Sequence, residues 1–117
     1  MIKAGWKVIA IDINDTSNII KENLTKDEIK RLTFICDDVE NIEFEKCDLV
    51  ISFNALSFID KECIKYIIKK IKKSLNINGI VILNFFGKED DFKNRQSGDN
   101  TKNTVYLYEE SEINEFL

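Results

Sequence analysis

Three strand-sized apolar runs, each closed by an acid or an amide, constrain this chain more than any other feature. Lys7–Ile11 leads into Asp12, Leu32–Cys36 into Asp37 and Asp38, and Asp48–Phe53 into Asn54. The uninterrupted Leu49-Val50-Ile51 stretch has the character of a parallel strand covered on both faces. A fourth run, Ile80–Phe85, follows the Asn78-Gly79 pair, whose two residues both tolerate a left-handed backbone.

Helical patterns fill the intervals. Asp15 or Thr16 can cap a short helix running to about Asn23, with Ile19, Ile20 and Leu24 on one face. Thr25-Lys26-Asp27-Glu28 fits a capping box and opens a segment ending near Arg31. Val39–Lys46 reads as a loop. Asp60 caps the clearest helix, Lys61–Leu75, in which Ile64, Ile67, Ile68, Ile71 and Leu75 follow helical spacing. Its lysines, Lys65, Lys69, Lys70, Lys72 and Lys73, read as a solvated face. Gly87–Asn103 is too long for a plain connection. Thr104–Tyr108 reads as extended, and Glu109–Leu117 as helix. Strand alternating with helix predicts an α/β fold with a doubly wound parallel sheet.

Size and charge narrow the function classes. The 117 residues make one domain, 1–117, with one core. A net charge of −4 argues against a nucleic-acid partner, which needs a concentrated basic surface. The longest apolar runs, Leu49–Phe53 and Ile80–Phe86, are too short to span a bilayer, so no membrane partner is expected. Met1–Gly5 has no signal-peptide pattern. The three cysteines, Cys36, Cys47 and Cys63, lack C-x-x-C spacing and read as reduced, mostly buried thiols of a cytoplasmic protein. The chain has no His, which excludes His-based catalysis and His metal sites, and no metal is expected. The acids Glu89-Asp90-Asp91 read as a solvated loop. Tyr106 and Tyr108 either line a pocket or alternate in a half-buried strand.

Open parallel sheets bind ligands at the carboxyl ends of their strands. An acid at such an end can cap the next helix, and it can also accept hydrogen bonds from ribose hydroxyls. Asp12, Asp37, Asp38 and Asn54 all fall there, and their conjunction across three crossovers carries the functional reading.

On these residues the chain resembles the class I S-adenosylmethionine (SAM)-dependent methyltransferases. The resemblance implies SAM as cofactor, with Asp12 on the ribose hydroxyls and Ile13 packed on the adenine. The stretch Phe34–Phe44 matches the motif in which Asp38 accepts the adenine amino group and the Val39 backbone amide meets the ring, with Asp37 as the alternative acid. Cys47–Leu56 matches the segment beside the methionine portion, where the backbone at Phe53 and Asn54 faces the ligand. Leu75–Leu83 resembles the turn into the family's fifth strand, departing from it at Ile77 and Asn78. Asn84–Phe92 and the later Thr104…Leu117 resemble the tellurite-resistance (TehB-like) methyltransferases. The implied reaction is methyl transfer to a small-molecule acceptor. It is an in-line displacement for which a soft nucleophile needs no dedicated base, so no catalytic residue is assigned. Nucleic-acid base methylation is disfavoured, because Phe53-Asn54-Ala55-Leu56 lacks the Asn/Asp-Pro-Pro-aromatic signature.

The resemblance also implies a partial methyltransferase domain, a fragment truncated at both ends. It lacks the family's first strand with its Gly-rich loop, and the last strands. Gly5, Gly79, Gly87 and Gly98 form no G-x-G. In the family that strand lies between the equivalents of Lys7–Ile11 and Asp48–Phe53. Those two segments are therefore expected to pair directly, or to take a second chain into the gap as a homodimer or strand swap. Two other readings remain open. One is a nicotinamide-dependent Rossmann oxidoreductase fragment, which shares Asp12 but does not require Asp38. The other is a non-catalytic truncated product or interaction module.

Overall fold

The computed structural model describes residues 1–88 and 105–117. The chain divides into two units, Met1–Ile42 and Glu43–Leu117. It is a mixed α/β structure built from parallel strand pairs.

In the first unit, β1 (Val8–Asp12) pairs in parallel with β2 (Leu32–Cys36), in register from Val8 opposite Leu32 to Asp12 opposite Cys36. Compared with the sequence expectation β1 is displaced by one residue, so Asp12 is its last member rather than the residue after it. The helix α1 (Ser17–Lys21) stops two residues before the expected Asn23. Thr16 precedes it without a capping bond, while Asp15 Oδ1 accepts from both the Ser17 N–H and hydroxyl at 3.1 and 2.6 Å. The helix α2 (Lys26–Lys30) carries the anticipated capping box: Thr25 Oγ1 accepts the Glu28 N–H and Glu28 Oε2 accepts the Thr25 N–H. The amino-terminal turn is tied down by Arg31 Nη2 donating to the Ile2 carbonyl at 2.9 Å and by the Lys3–Glu28 ion pair at 3.3 Å.

In the second unit, β3 (Cys47–Ser52) pairs in parallel with β4 (Leu75–Leu83). The register jumps between Cys47 opposite Leu75 and Leu49 opposite Ile80, so Asp48 faces the four residues Asn76–Gly79. Asn78 turns this detour with a φ of 65°, and Gly79 is required by crowding: a Cβ there would lie 2.9 Å from the Asn76 carbonyl oxygen. β4 consequently starts at Leu75, which belongs to the strand and not to the preceding helix, and ends before Asn84 and Phe85.

The helix α3 (Lys61–Ser74) begins at Asp60, whose Oδ1 accepts the Glu62 N–H at 2.9 Å. Ile64, Ile67, Ile68 and Ile71 are buried, as their spacing predicted. Its lysines are only partly solvated. Lys61 pairs with Glu112 at 2.8 Å, Lys72 donates to the Phe116 and Leu117 carbonyls, and Lys70 lies over the rings of Phe44 and Tyr66. Val105 and Leu107 pack with Phe86 in the core, the buried Tyr108 donates its N–H to the Phe86 carbonyl at 2.9 Å, and α4 (Glu110–Phe116) follows. Tyr108 forms a single parallel bridge to Gly87, so residues 105–108 are extended without being a strand.

Several expectations are corrected. Among the described residues the strands form two ladders, β1 with β2 inside the first unit and β3 with β4 inside the second. β3 is not covered on both faces. Ile51 and Ile82, directly paired, are 40 and 42 % exposed. Cys36, the last residue of β2, is exposed, and Cys47 and Cys63 are only half-buried. The acids Glu89-Asp90-Asp91, and Thr104 at the head of the expected extended segment, lie outside the described residues. Among the described residues no helix is long and apolar enough to cross a membrane.

Candidate functional site

The parallel ladder of the first unit places both of its candidate acids at one rim. Asp12 and Cys36 are ladder partners at the carboxyl ends of β1 and β2, and the Asp37 N–H continues the ladder to the Asp12 carbonyl at 3.1 Å. Asp38 is the next residue in the chain.

Each acid there makes a local bond that leaves capacity over. Asp12 Oδ1 accepts the Asn14 N–H at 2.9 Å, and Asp38 Oδ1 accepts the Glu40 N–H at 3.0 Å, capping the 3-10 turn Val39–Asn41. Capping and ligand binding are therefore compatible here, since a carboxylate has a second oxygen. Asp12 Oδ2 and Asp38 Oδ2 take no partner among the described residues, and neither does the Val39 N–H. Asp37 is the more committed acid, because its Oδ1 accepts from both the Asp38 N–H at 2.7 Å and Asn41 Nδ2 at 3.1 Å. Ile13, one residue beyond β1, is 66 % exposed. The exposed Ile13 directly follows Asp12 at the end of β1, and Asp38 with the Val39 N–H follows the end of the paired strand β2. That set matches the donor and acceptor demands of an adenosine, a neutral group with an apolar ring, an amino group and two vicinal hydroxyls.

The second unit has its own carboxyl rim, at the ends of β3 and β4. Phe53 is 62 % exposed there, and Asn54 takes a left-handed φ of 55°. The Asn54 N–H donates to Asn84 Oδ1 at 2.7 Å while Asn84 Nδ2 donates to Asn54 Oδ1 at 2.9 Å. Sequence reasoning singled out Asn54 and missed Asn84. The signal was available: an amide just past the carboxyl end of each of two parallel strands, two residues after β3 and one after β4. Just behind this rim Ser57 is buried, its Oγ accepting the Phe86 N–H at 2.8 Å and its carbonyl the Tyr106 N–H at 2.7 Å.

Tyr106 and Tyr108 hold different places among the described residues. Tyr108 is core, stacked near Phe85 and Phe116 with the Lys61 ammonium over its ring at 4.6 Å. Burial pushes its phenol up to about 12. Tyr106 donates to Asp60 Oδ2 at 3.3 Å, and its phenol is also raised, by burial first and by the Asp60 charge second. Two hollows of the second unit lie away from its rim. One of about 190 Å³ includes Phe44, Tyr66 and Lys70, and one of about 440 Å³ includes Lys61, Lys65 and Glu112. Neither contains a residue of the candidate site. No group of three or more potential metal ligands occurs among the described residues.

Known proteins give this geometry its context. The chain is 26 % identical over 83 residues to a malonyl-[acyl-carrier protein] O-methyltransferase of Bacillus anthracis, an alignment covering 70 % of the chain and 29 % of that enzyme. Its fold matches the crystal structure of the glycopeptide N-methyltransferase MtfA with a TM-score of 0.61 at 14 % identity, over 91 % of this chain and 47 % of that one. The chain thus spans less than half the length of either protein. The family model described as a methyltransferase domain matches residues 1–79, more than half of the chain. With parallel strands and a Rossmann-like methyltransferase fold, the chain belongs to the methyltransferase-domain family, whose methyl donor is SAM.

Proposed function

We propose that this chain carries the adenosine-holding acids and the methionine-side rim of a SAM-dependent methyltransferase acting on a small-molecule acceptor, of the TehB-like subgroup. The observation that carries the reading is the placement of Asp12 and Asp38 at one carboxyl rim, each with a carboxylate oxygen to spare. The donor, when bound, supplies a methyl group already activated on a sulfonium.

Everything else falls to the chain's own residues. Asp12 accepts from the ribose hydroxyls, and Ile13 covers one face of the adenine, removing apolar surface from water. Asp38 accepts from the adenine amino group, and the Val39 N–H donates to a ring nitrogen. Together they select adenine by pairing one acceptor with one donor. The backbone at Phe53 and Asn54 lies along the methionine portion. None of these groups moves a proton, consistent with a displacement in which binding, orientation and exclusion of water supply the rate. The subgroup rests on the sequence resemblance of Asn84–Phe92 and Thr104…Leu117.

Titration calorimetry with SAM, and separately with NAD, tests the proposal. Heat with SAM and none with NAD is the expected result. Heat with NAD alone overturns it in favour of an oxidoreductase fragment, and heat with neither favours a non-catalytic module. The Asp12→Ala variant is expected to weaken SAM binding about 10- to 100-fold, the equivalent of one or two charge-assisted hydrogen bonds.

A further inference from the structure

Asn54 holds a backbone conformation that most side chains adopt only at a cost, and asparagine tolerates it because its short amide can bond locally. Here that amide bonds across to the neighbouring strand. Two bonds join Asn54 and Asn84 reciprocally, and their polarity is determined. The Asn54 N–H is a donor, so Asn84 must turn its oxygen toward it. Asn84 Nδ2 then needs an acceptor, and Asn54 Oδ1 supplies one. Asn84 itself stands on a fixed base. Its N–H donates to the Ser52 carbonyl at 3.2 Å, and two residues later the Phe86 N–H donates to the buried Ser57 hydroxyl. The rigid member of the pair is therefore Asn84, held on both sides by its backbone, and the strained member is Asn54.

We infer that Asn84 is a positioning residue, which locks Asn54 in its left-handed conformation and so sets the Phe53–Asn54 backbone for the methionine portion of the donor. This rests on the proposed function for the ligand and on the geometry for the lock. Asn84→Leu removes both bonds. Asn84→Asp preserves them, since one carboxylate oxygen accepts the Asn54 N–H and the other accepts Asn54 Nδ2 after that amide flips. The double variant Asn54→Gly/Asn84→Leu removes the side-chain lock but restores a residue to which the left-handed region is free.

The test has a ligand-free arm and a binding arm. Without ligand, the Asn54 backbone chemical shifts and amide exchange are expected to report a left-handed, protected residue in the unsubstituted chain and in Asn84→Asp. They should report an extended, fast-exchanging one in Asn84→Leu. In calorimetry with S-adenosylhomocysteine, Asn84→Leu is expected to lose about tenfold in affinity, Asn84→Asp little, and the double variant is expected to recover what the single one lost. Asn54 remaining left-handed in Asn84→Leu overturns the inference, and so does its release with affinity unchanged. If the unsubstituted chain takes up no S-adenosylhomocysteine, the proposed function is what fails. The chemical shifts then still decide whether Asn84 sets this backbone. Should Asn84→Leu not fold, the double variant reports the same comparison against Asn84→Asp.

Discussion

Ser57 and Tyr108 show how much one polar atom in the interior decides. The Ser57 hydroxyl is the acceptor for a buried N–H, so Ser57→Ala removes that bond and is expected to cost about 1 kcal/mol in urea unfolding. Tyr108 is the opposite case. Its hydroxyl is buried with no partner among the described residues, and Tyr108→Phe is therefore expected to leave stability unchanged or raised. The phenol also sets an alkaline limit. Burial, with the Glu112 and Asp60 charges behind it, raises it from its ordinary 10 to about 12, so the folded chain holds this proton more tightly than the unfolded one. Its contribution is complete below pH 10 and is lost as the pH rises through 12. Unfolding midpoints across that window should fall for the native chain and fall less for Tyr108→Phe.

The elements divide into those governed by local chemistry and those governed by pairing. Thr25→Ala is expected to cost about 1 kcal/mol, because both arms of the α2 capping box depend on that residue. Ile64→Ala in α3 should cost about 2–5 kcal/mol, whereas Lys69→Ala on its exposed face should stay within about 0.5 kcal/mol. Thermal or urea unfolding followed by circular dichroism checks all three. These same elements were legible in the sequence, since a cap and an apolar stripe are written in adjacent residues. β2 was legible to the residue for a similar reason, being bracketed by Arg31 and Asp37. The entry to β4 was not. Leu75 continues the spacing of Ile64, Ile67, Ile68 and Ile71, and only its pairing with Cys47 makes it a strand residue. Nor does local pattern record that Asp48 faces a four-residue detour, because a register jump is a property of two strands. In the candidate site the acids could be located from the chain alone, but their spare oxygens and the Asn54–Asn84 pair depend on hydrogen bonds between distant residues.

At the scale of the whole molecule, apolar surface left in water is the governing feature. Ile51 and Ile82 are ladder partners and Ile80 lies two residues along β4, so all three share one face of the second sheet, 40, 42 and 59 % exposed. Trp6, Ile13 and Ile19 are exposed in the first unit. A contiguous patch of this kind binds apolar probes in the folded state. Anilinonaphthalene sulfonate is expected to fluoresce with the native chain, and the Ile80→Lys/Ile82→Lys variant to reduce that signal without losing far-UV dichroism.

The links that hold residues 105–117 in place have a kinetic corollary. The Tyr106–Asp60 bond spans 46 positions and the Lys61–Glu112 pair 51, so each closes a long loop whose entropy must be met before the contact gives anything back. The carboxyl-terminal segment is then the last to dock during refolding and the first to detach on warming. Proton exchange at the Tyr106 and Tyr108 amides should run ahead of that at Ile67 and Ile68, and limited proteolysis should release this segment before it nicks the helix that carries them.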